Sequence, residues 1–186
     1  MKYLKVNLGI LLLLISSLSL TACNTESKKS EAVAATDKVN SEVPQPSQAT
    51  QIIAQYLVLK DALVGDNTDA TKQAGEKLTA ALSNFKLDQF KGNEKSKLTQ
   101  ILADSKLSAR QISDSDIAQQ REQFLSLSAN MIELVAITGA TQKLYQQYCP
   151  MYNNNKGGTW LSAHKEVKNP YFGSSMLTCG VVQREI

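Results

Sequence analysis

Residues Ser115 to Ile137 read SDIAQQREQFLSLSANMIELVAI, and the period of this stretch decides the fold. Ile117, Phe124, Leu127, Met131, Leu134 and Val135 recur mostly at spacings of three, four and seven, which line one face of an α-helix and do not fit strand alternation. Ser113 or Ser115 is placed to cap this helix, and Asp114 and Asp116 suit the partial positive charge of a helix start.

Upstream, the same period recurs. Ile52, Ile53, Tyr56, Leu57, Leu63 and Val64 predict a first helix, which Gly65-Asp66-Asn67 stops. A second helix is predicted from near Thr68, with Ala70, Ala74, Leu78, Ala81, Leu82 and Phe85 on one face. Its small alanines allow a neighbouring helix to approach closely. Glu94 to Leu107 reads as a weaker helix with Leu98, Ile101 and Leu102 as its apolar ridge.

Downstream of Gly139 the pattern changes. Pro150, Asn153-Asn154-Asn155, Gly157-Gly158, Asn169-Pro170 and Gly173 punctuate the chain every few residues, which fits short strands and tight turns. Leu144 to Met151 and Leu177 to Arg184 are the best strand candidates, and pairing them brings Cys149 near Cys179. The fold class expected is mainly α with a small β part: a helical bundle capped by a short antiparallel sheet at the C-terminus.

The first residues concern the address of the chain. Lys2 and Lys5 give a positive start, and an apolar run from Leu8 to Leu20 follows, shorter than the ~20 residues of a membrane-spanning helix. It ends at Leu20-Thr21-Ala22-Cys23, which resembles a bacterial lipoprotein signal and implies cleavage before Cys23 and acylation of its sulfur. Residues 1–22 are therefore expected to be a signal peptide. Residues 23–48, rich in Ser, Lys, Glu, Ala and Thr and without an aromatic residue, are expected to be a lipidated cysteine and a flexible tether. One domain, 49–186, remains. It is expected to face the periplasm from the cell envelope, held to the membrane by the lipid on Cys23.

Charge excludes one class of partner. Removing Lys2 and Lys5 from 20 basic side chains leaves 18 against 17 acidic ones. They are scattered, without an aromatic-basic stripe, so no nucleic acid is expected to bind.

The chemistry lies in the sulfurs. Tyr148-Cys149-Pro150-Met151 and Met176-Leu177-Thr178-Cys179-Gly180 form a matched pair of short motifs. Thiolate and thioether are polarisable donors suited to Cu(I) or Ag(I), so Cys149, Met151, Met176 and Cys179 are the candidate ligands. Met131 and His164 are second-rank candidates. Met131 on a helix's apolar face reads more simply as core packing, and His164, flanked by Ala163 and Lys165, as a surface loop residue. Trp160 reads as core before it reads as a lid over an ion. A competing reading needs no metal. In an oxidising compartment Cys149 and Cys179 pair as a disulfide, closing a loop of about 30 residues for roughly 3 kcal/mol.

Together with Asn153-Asn154, Lys156-Gly157, Trp160-Leu161-Ser162 and Asn169-Pro170-Tyr171-Phe172-Gly173, these motifs resemble the bacterial domain of unknown function DUF3347. Tyr56 to Val64 and Phe124 to Met131 are similar to its helical part, so the resemblance spans nearly all of Ala49 to Ile186. The resemblance implies a domain that occurs in lipid-anchored proteins and fused to periplasmic adaptor subunits of copper and silver efflux systems. An efflux adaptor, or another envelope metal protein, is the partner it implies. Relatives often place His before the Phe of the fourth helix, where this chain has Gln123, so an imidazole ligand from there is missing.

Other motifs are not found. The sequence has no P-loop, no Gly-x-Ser-x-Gly elbow, no His-Glu-x-x-His and no haem attachment motif. Asp66-Asn67-Thr68-Asp69 is shorter than the ~12 residues of a calcium loop. With a single histidine, a nucleophile-base pair is hard to build, and the expectation is a binding protein, not an enzyme. Two readings stand: a soft-metal sponge or chaperone, or a structural and interaction domain with a Cys149–Cys179 disulfide.

Overall fold

Four long helices, a one-turn helix and a small sheet are the main elements of the computed structural model, which describes residues 47–186. The signal peptide, Cys23 and all but the end of the tether lie outside the described residues. Helix α1 (Gln48–Val64) starts with the Ser47 side chain accepting from the Thr50 N–H, so helix replaces tether from Gln48 onward. α2 (Thr68–Ser83) is capped by Asn67. α3 (Gly92–Ser113) is longer than its weak apolar ridge suggests. Leu107 lies exposed, and Ala109 and Ile112 continue the buried stripe for another turn.

α4 (Ile117–Thr138) starts at neither proposed serine. Asp116 caps it, its carboxylate accepting from the N–H groups of Ala118 and Gln119 at 3.0 Å. Ser115 instead donates back to the Gln111 carbonyl at the end of α3. Short connections fold each helix back on its predecessor, and α1 to α4 pack in chain order with α4 also against α1. At Gly75 the packing admits no side chain: a Cβ there would lie 2.6 Å from Ser113 Oγ and 2.8 Å from the Ala109 carbonyl.

The sheet follows α4 in the order β2-β1-β3, antiparallel throughout. β1 (Tyr145–Cys149) and β3 (Val181–Glu185) correspond to the two expected strands, both shorter than predicted. The expectation of strand from Leu177 onward fails because Leu177 to Gly180 form a turn leaving a 3-10 turn, Gly173–Met176. β2 (Gly158–Ser162) was not singled out from the sequence. It pairs with β1 and packs on α4. Between β1 and β2 lies a one-turn element, α5 (Tyr152–Asn155), in which Asn153, Asn154 and Asn155 are all left-handed, with φ of 53°, 55° and 62°.

Aromatic rings join bundle to sheet. Tyr56 of α1 stacks on Phe124 of α4 at 5.4 Å, Phe124 meets Tyr171 at 5.5 Å, and Tyr171 meets Trp160 of β2 at 5.8 Å. The Tyr56 hydroxyl shares a hydrogen bond with Ser128 Oγ at 2.8 Å and accepts from the Leu161 N–H at 3.1 Å. That bond closes the outer edge of β2 against the bundle, where an unpaired buried N–H would otherwise remain.

Candidate functional site

Cys149 is the last residue of β1, opposite Gly158, and is fully buried at 0% exposure. Cys179 lies in the turn before β3 and is half-buried. Their sulfurs are 3.0 Å apart, and both are free thiols. The pairing of β1 with β3 thus brings together the two cysteines as the strand reading predicts. The Cys179 thiol is pushed up to about 11, first by its hydrogen bond with Cys149, then by burial and by the charge on Cys149. Cys179 therefore carries its proton at neutral pH.

The methionines are more exposed. Met151 is 48% exposed and lines an open depression of about 650 Å³ with Glu122, Leu125, Tyr152 and Phe172, a lining that includes neither cysteine. Met176 ends the 3-10 turn, 38% exposed, and its carbonyl accepts from the Cys179 N–H at 3.1 Å. Both methionines are exposed, whereas Cys149 is buried and Cys179 half-buried. Met131 is fully buried in the core of α4. His164 is exposed in the loop after β2, and Trp160 is buried. Among the described residues, no group of three or more His, Cys, Asp or Glu side chains is gathered in a way that could hold a metal ion. Nor, among them, is any helix long and apolar enough to cross a membrane.

Three polar anchors around the pair were not read from the sequence. Asn169, fully buried, donates through Nδ2 to the Cys179 carbonyl at 2.7 Å and accepts at Oδ1 from the Tyr171 N–H at 2.8 Å. Gln147, also buried, sits opposite Trp160 in the ladder and donates through Nε2 to the carbonyls of His164, Lys165 and Glu166 at 3.0–3.2 Å. Arg121 of α4 donates to the Pro170 and Leu63 carbonyls and pairs with Asp66, whose carboxylate also accepts from the Ser174 N–H at 2.9 Å. Asp66 is itself left-handed, at φ 55°. Gly173 faces this group so closely that a Cβ would meet Asp66 Oδ1 at 2.0 Å. The one signal for these anchors was the Asn169-Pro170 pair, which marks a turn without saying what the asparagine holds.

Bundle, sheet and thiol pair define the class: a helical-bundle domain with a small C-terminal sheet and two cysteines in contact, one ending β1 and one in the turn before β3. Residues 52–143 match the family described as Protein of unknown function (DUF3347), and the chain therefore carries a DUF3347 domain. The match covers most of the helical bundle and stops before β1, so the sulfur motifs lie beyond it. No curated protein and no solved structure matches the chain.

Proposed function

We propose that this protein is a lipid-anchored envelope module that binds a soft monovalent ion, Cu(I) or Ag(I), at the reduced Cys149–Cys179 pair. It acts by holding and handing on the ion, not by catalysis, and the recipient is an efflux adaptor or another envelope metal protein. The observation that carries this reading is the contact of two polarisable thiols at 3.0 Å, one buried and one half-buried beside the surface.

Geometry sets what binding requires. With metal–sulfur bonds of about 2.3 Å, a tetrahedral angle needs sulfurs ~3.8 Å apart and a linear one ~4.6 Å. The pair must open, and Cys179, in a turn, has more freedom to move than Cys149 in the central strand. Met151 and Met176 serve as peripheral thioethers that meet the ion near the surface. Because Cys179 holds its proton up to about 11, metal capture displaces protons and tightens as pH rises.

The test is an anaerobic Cu(I) titration of the reduced, detergent-solubilised full chain against a coloured Cu(I) chelator. The chain is expected to withdraw one Cu(I), and the double variant Cys149→Ser, Cys179→Ser none. Met151→Leu with Met176→Leu should lose less than about 1.5 kcal/mol of stability yet weaken Cu(I) binding. Equal withdrawal by wild type and the cysteine double variant refutes the reading.

The burial of Cys149 favours a second reading. Two thiols already in contact close readily in an oxidising compartment, and the domain then serves as a disulfide-bonded interaction module. Alkylation of the protein isolated without reductant separates the two: unmodified Cys149 and Cys179 that become labelled only after reduction support the disulfide.

A further inference from the structure

We propose that Asn169 is the positioning residue of the cysteine pair, fixing the Cys179 carbonyl and thereby how closely the two sulfurs approach. This deepens the preceding reading and rests on Cys149 and Cys179 being the working site, whichever occupant they take.

The two cysteines are held in different ways. Cys149 is part of the central strand, pairing with Gly158 on one side while its neighbour Tyr148 pairs with Val181 on the other. Cys179 has no ladder partner. Its N–H bonds locally to the Met176 carbonyl, and its carbonyl accepts from Asn169 Nδ2. Two residues earlier, the Leu177 carbonyl accepts from the Asn169 N–H at 2.7 Å. Asn169 thus grips the turn at two points, once with its main chain and once with its side chain.

The grip is itself anchored. Asn169 Oδ1 accepts from the Tyr171 N–H, and its carbonyl accepts from the Gly173 N–H at 3.0 Å. The next carbonyl, of Pro170, is held by Arg121 Nε of α4 at 3.1 Å. A chain of bonds therefore runs from α4 through Asn169 to Cys179. Only a side chain that offers an acceptor and a donor from one short stem serves both Tyr171 and Cys179. Aspartate keeps the acceptor but turns a lone pair toward the Cys179 carbonyl, and serine keeps a short acceptor without the reach.

Releasing Cys179 lowers the effective concentration of one thiol at the other. The disulfide then becomes easier to reduce, by the exchange in which two glutathione thiols become one glutathione disulfide and the protein disulfide becomes two thiols. The experiment equilibrates the full chain, without metal, in anaerobic glutathione buffers and scores the peptides carrying Cys149 and Cys179 by alkylation and mass. Asn169→Asp is expected to shift the exchange constant at least tenfold toward the dithiol, about 30 mV. Asn169→Ser shifts it in the same direction and stands in where the aspartate does not fold. Gly75→Ala, which crowds Ser113 and the Ala109 carbonyl where α2 meets α3, should lower the melting temperature without moving the constant.

A folded Asn169 variant within twofold of wild type overturns the proposal, and so does an equal shift in Gly75→Ala. The Cu(I) titration is read separately. Failure to withdraw Cu(I) alongside a shifted exchange constant ends the metal reading and leaves Asn169 in place, whereas Cu(I) binding with an unmoved constant ends the role of Asn169 alone.

Discussion

Tyr56→Phe removes one oxygen and tests how the sheet is fastened to the bundle. The hydroxyl serves two buried groups, Ser128 Oγ at 2.8 Å and the Leu161 N–H at 3.1 Å. Burial holds this phenol well above its ordinary value, so it stays protonated and able to donate. Phenylalanine keeps the ring on Phe124, so the packing contribution barely changes. The Leu161 N–H, in a residue of 0% exposure, is left without a partner, at about 1–3 kcal/mol, and the lost Ser128 bond adds about 1 kcal/mol. The expected loss is about 2–4 kcal/mol, a large share of the ~5–15 kcal/mol typical of a domain. Urea denaturation of Tyr56→Phe, Ser128→Ala and the double variant measures it, with a coupling of about 1 kcal/mol between the two sites. A loss in Tyr56→Phe below about 0.5 kcal/mol, with unchanged urea dependence, would refute the fastening role.

Three further outcomes are expected. Asp66 is held down from the usual 3.8 to about 2, mainly by hydrogen bonds from Ser174 and then by Arg121. Its folded-state value is the lower one, so its contribution is present above pH ~4 and fades as pH falls toward ~2. Asp66→Asn should flatten that part of the stability curve in urea midpoints taken at pH 5, 3 and 2. Gly75→Ala gains about 1 kcal/mol of helix propensity but forces a Cβ against the Ala109 carbonyl, an overpacking worth about 1–3 kcal/mol, so its melting temperature should fall. Gln120→Met strips a shared donor from the carbonyls of Thr68, Ile112 and Ser115, all at 3.2 Å, and should lose about 2–3 kcal/mol by calorimetry.

Legibility in the sequence followed the range of the interactions. The helices were readable because an apolar stripe repeats within one element, as Leu127, Met131 and Leu134 do in α4. Ends were less so: Asp116 and not a serine caps α4, a choice made by which side chain reaches two free N–H groups. β2 escaped notice because Gly158 to Ser162 are buried at four of five positions, which erases the alternation that marks a half-exposed strand. The cysteine contact followed from pairing two candidate strands. The surface placement of Met151 did not, since it depends on the left-handed turn that directly follows, and the roles of Asn169 and Gln147 depend on carbonyls up to 19 residues away.

That left-handed turn also constrains how the chain can vary. Asn153, Asn154 and Asn155 are exposed, and by contact alone almost any side chain would serve there. Their backbone decides otherwise, because a β-branched residue is disfavoured at positive φ while asparagine and glycine are tolerated. Three solvent-facing positions are thus closed to valine, isoleucine and threonine. Drift at these sites should pass through asparagine, aspartate and glycine, and a screen of random replacements would find intolerance where a burial map shows only open surface.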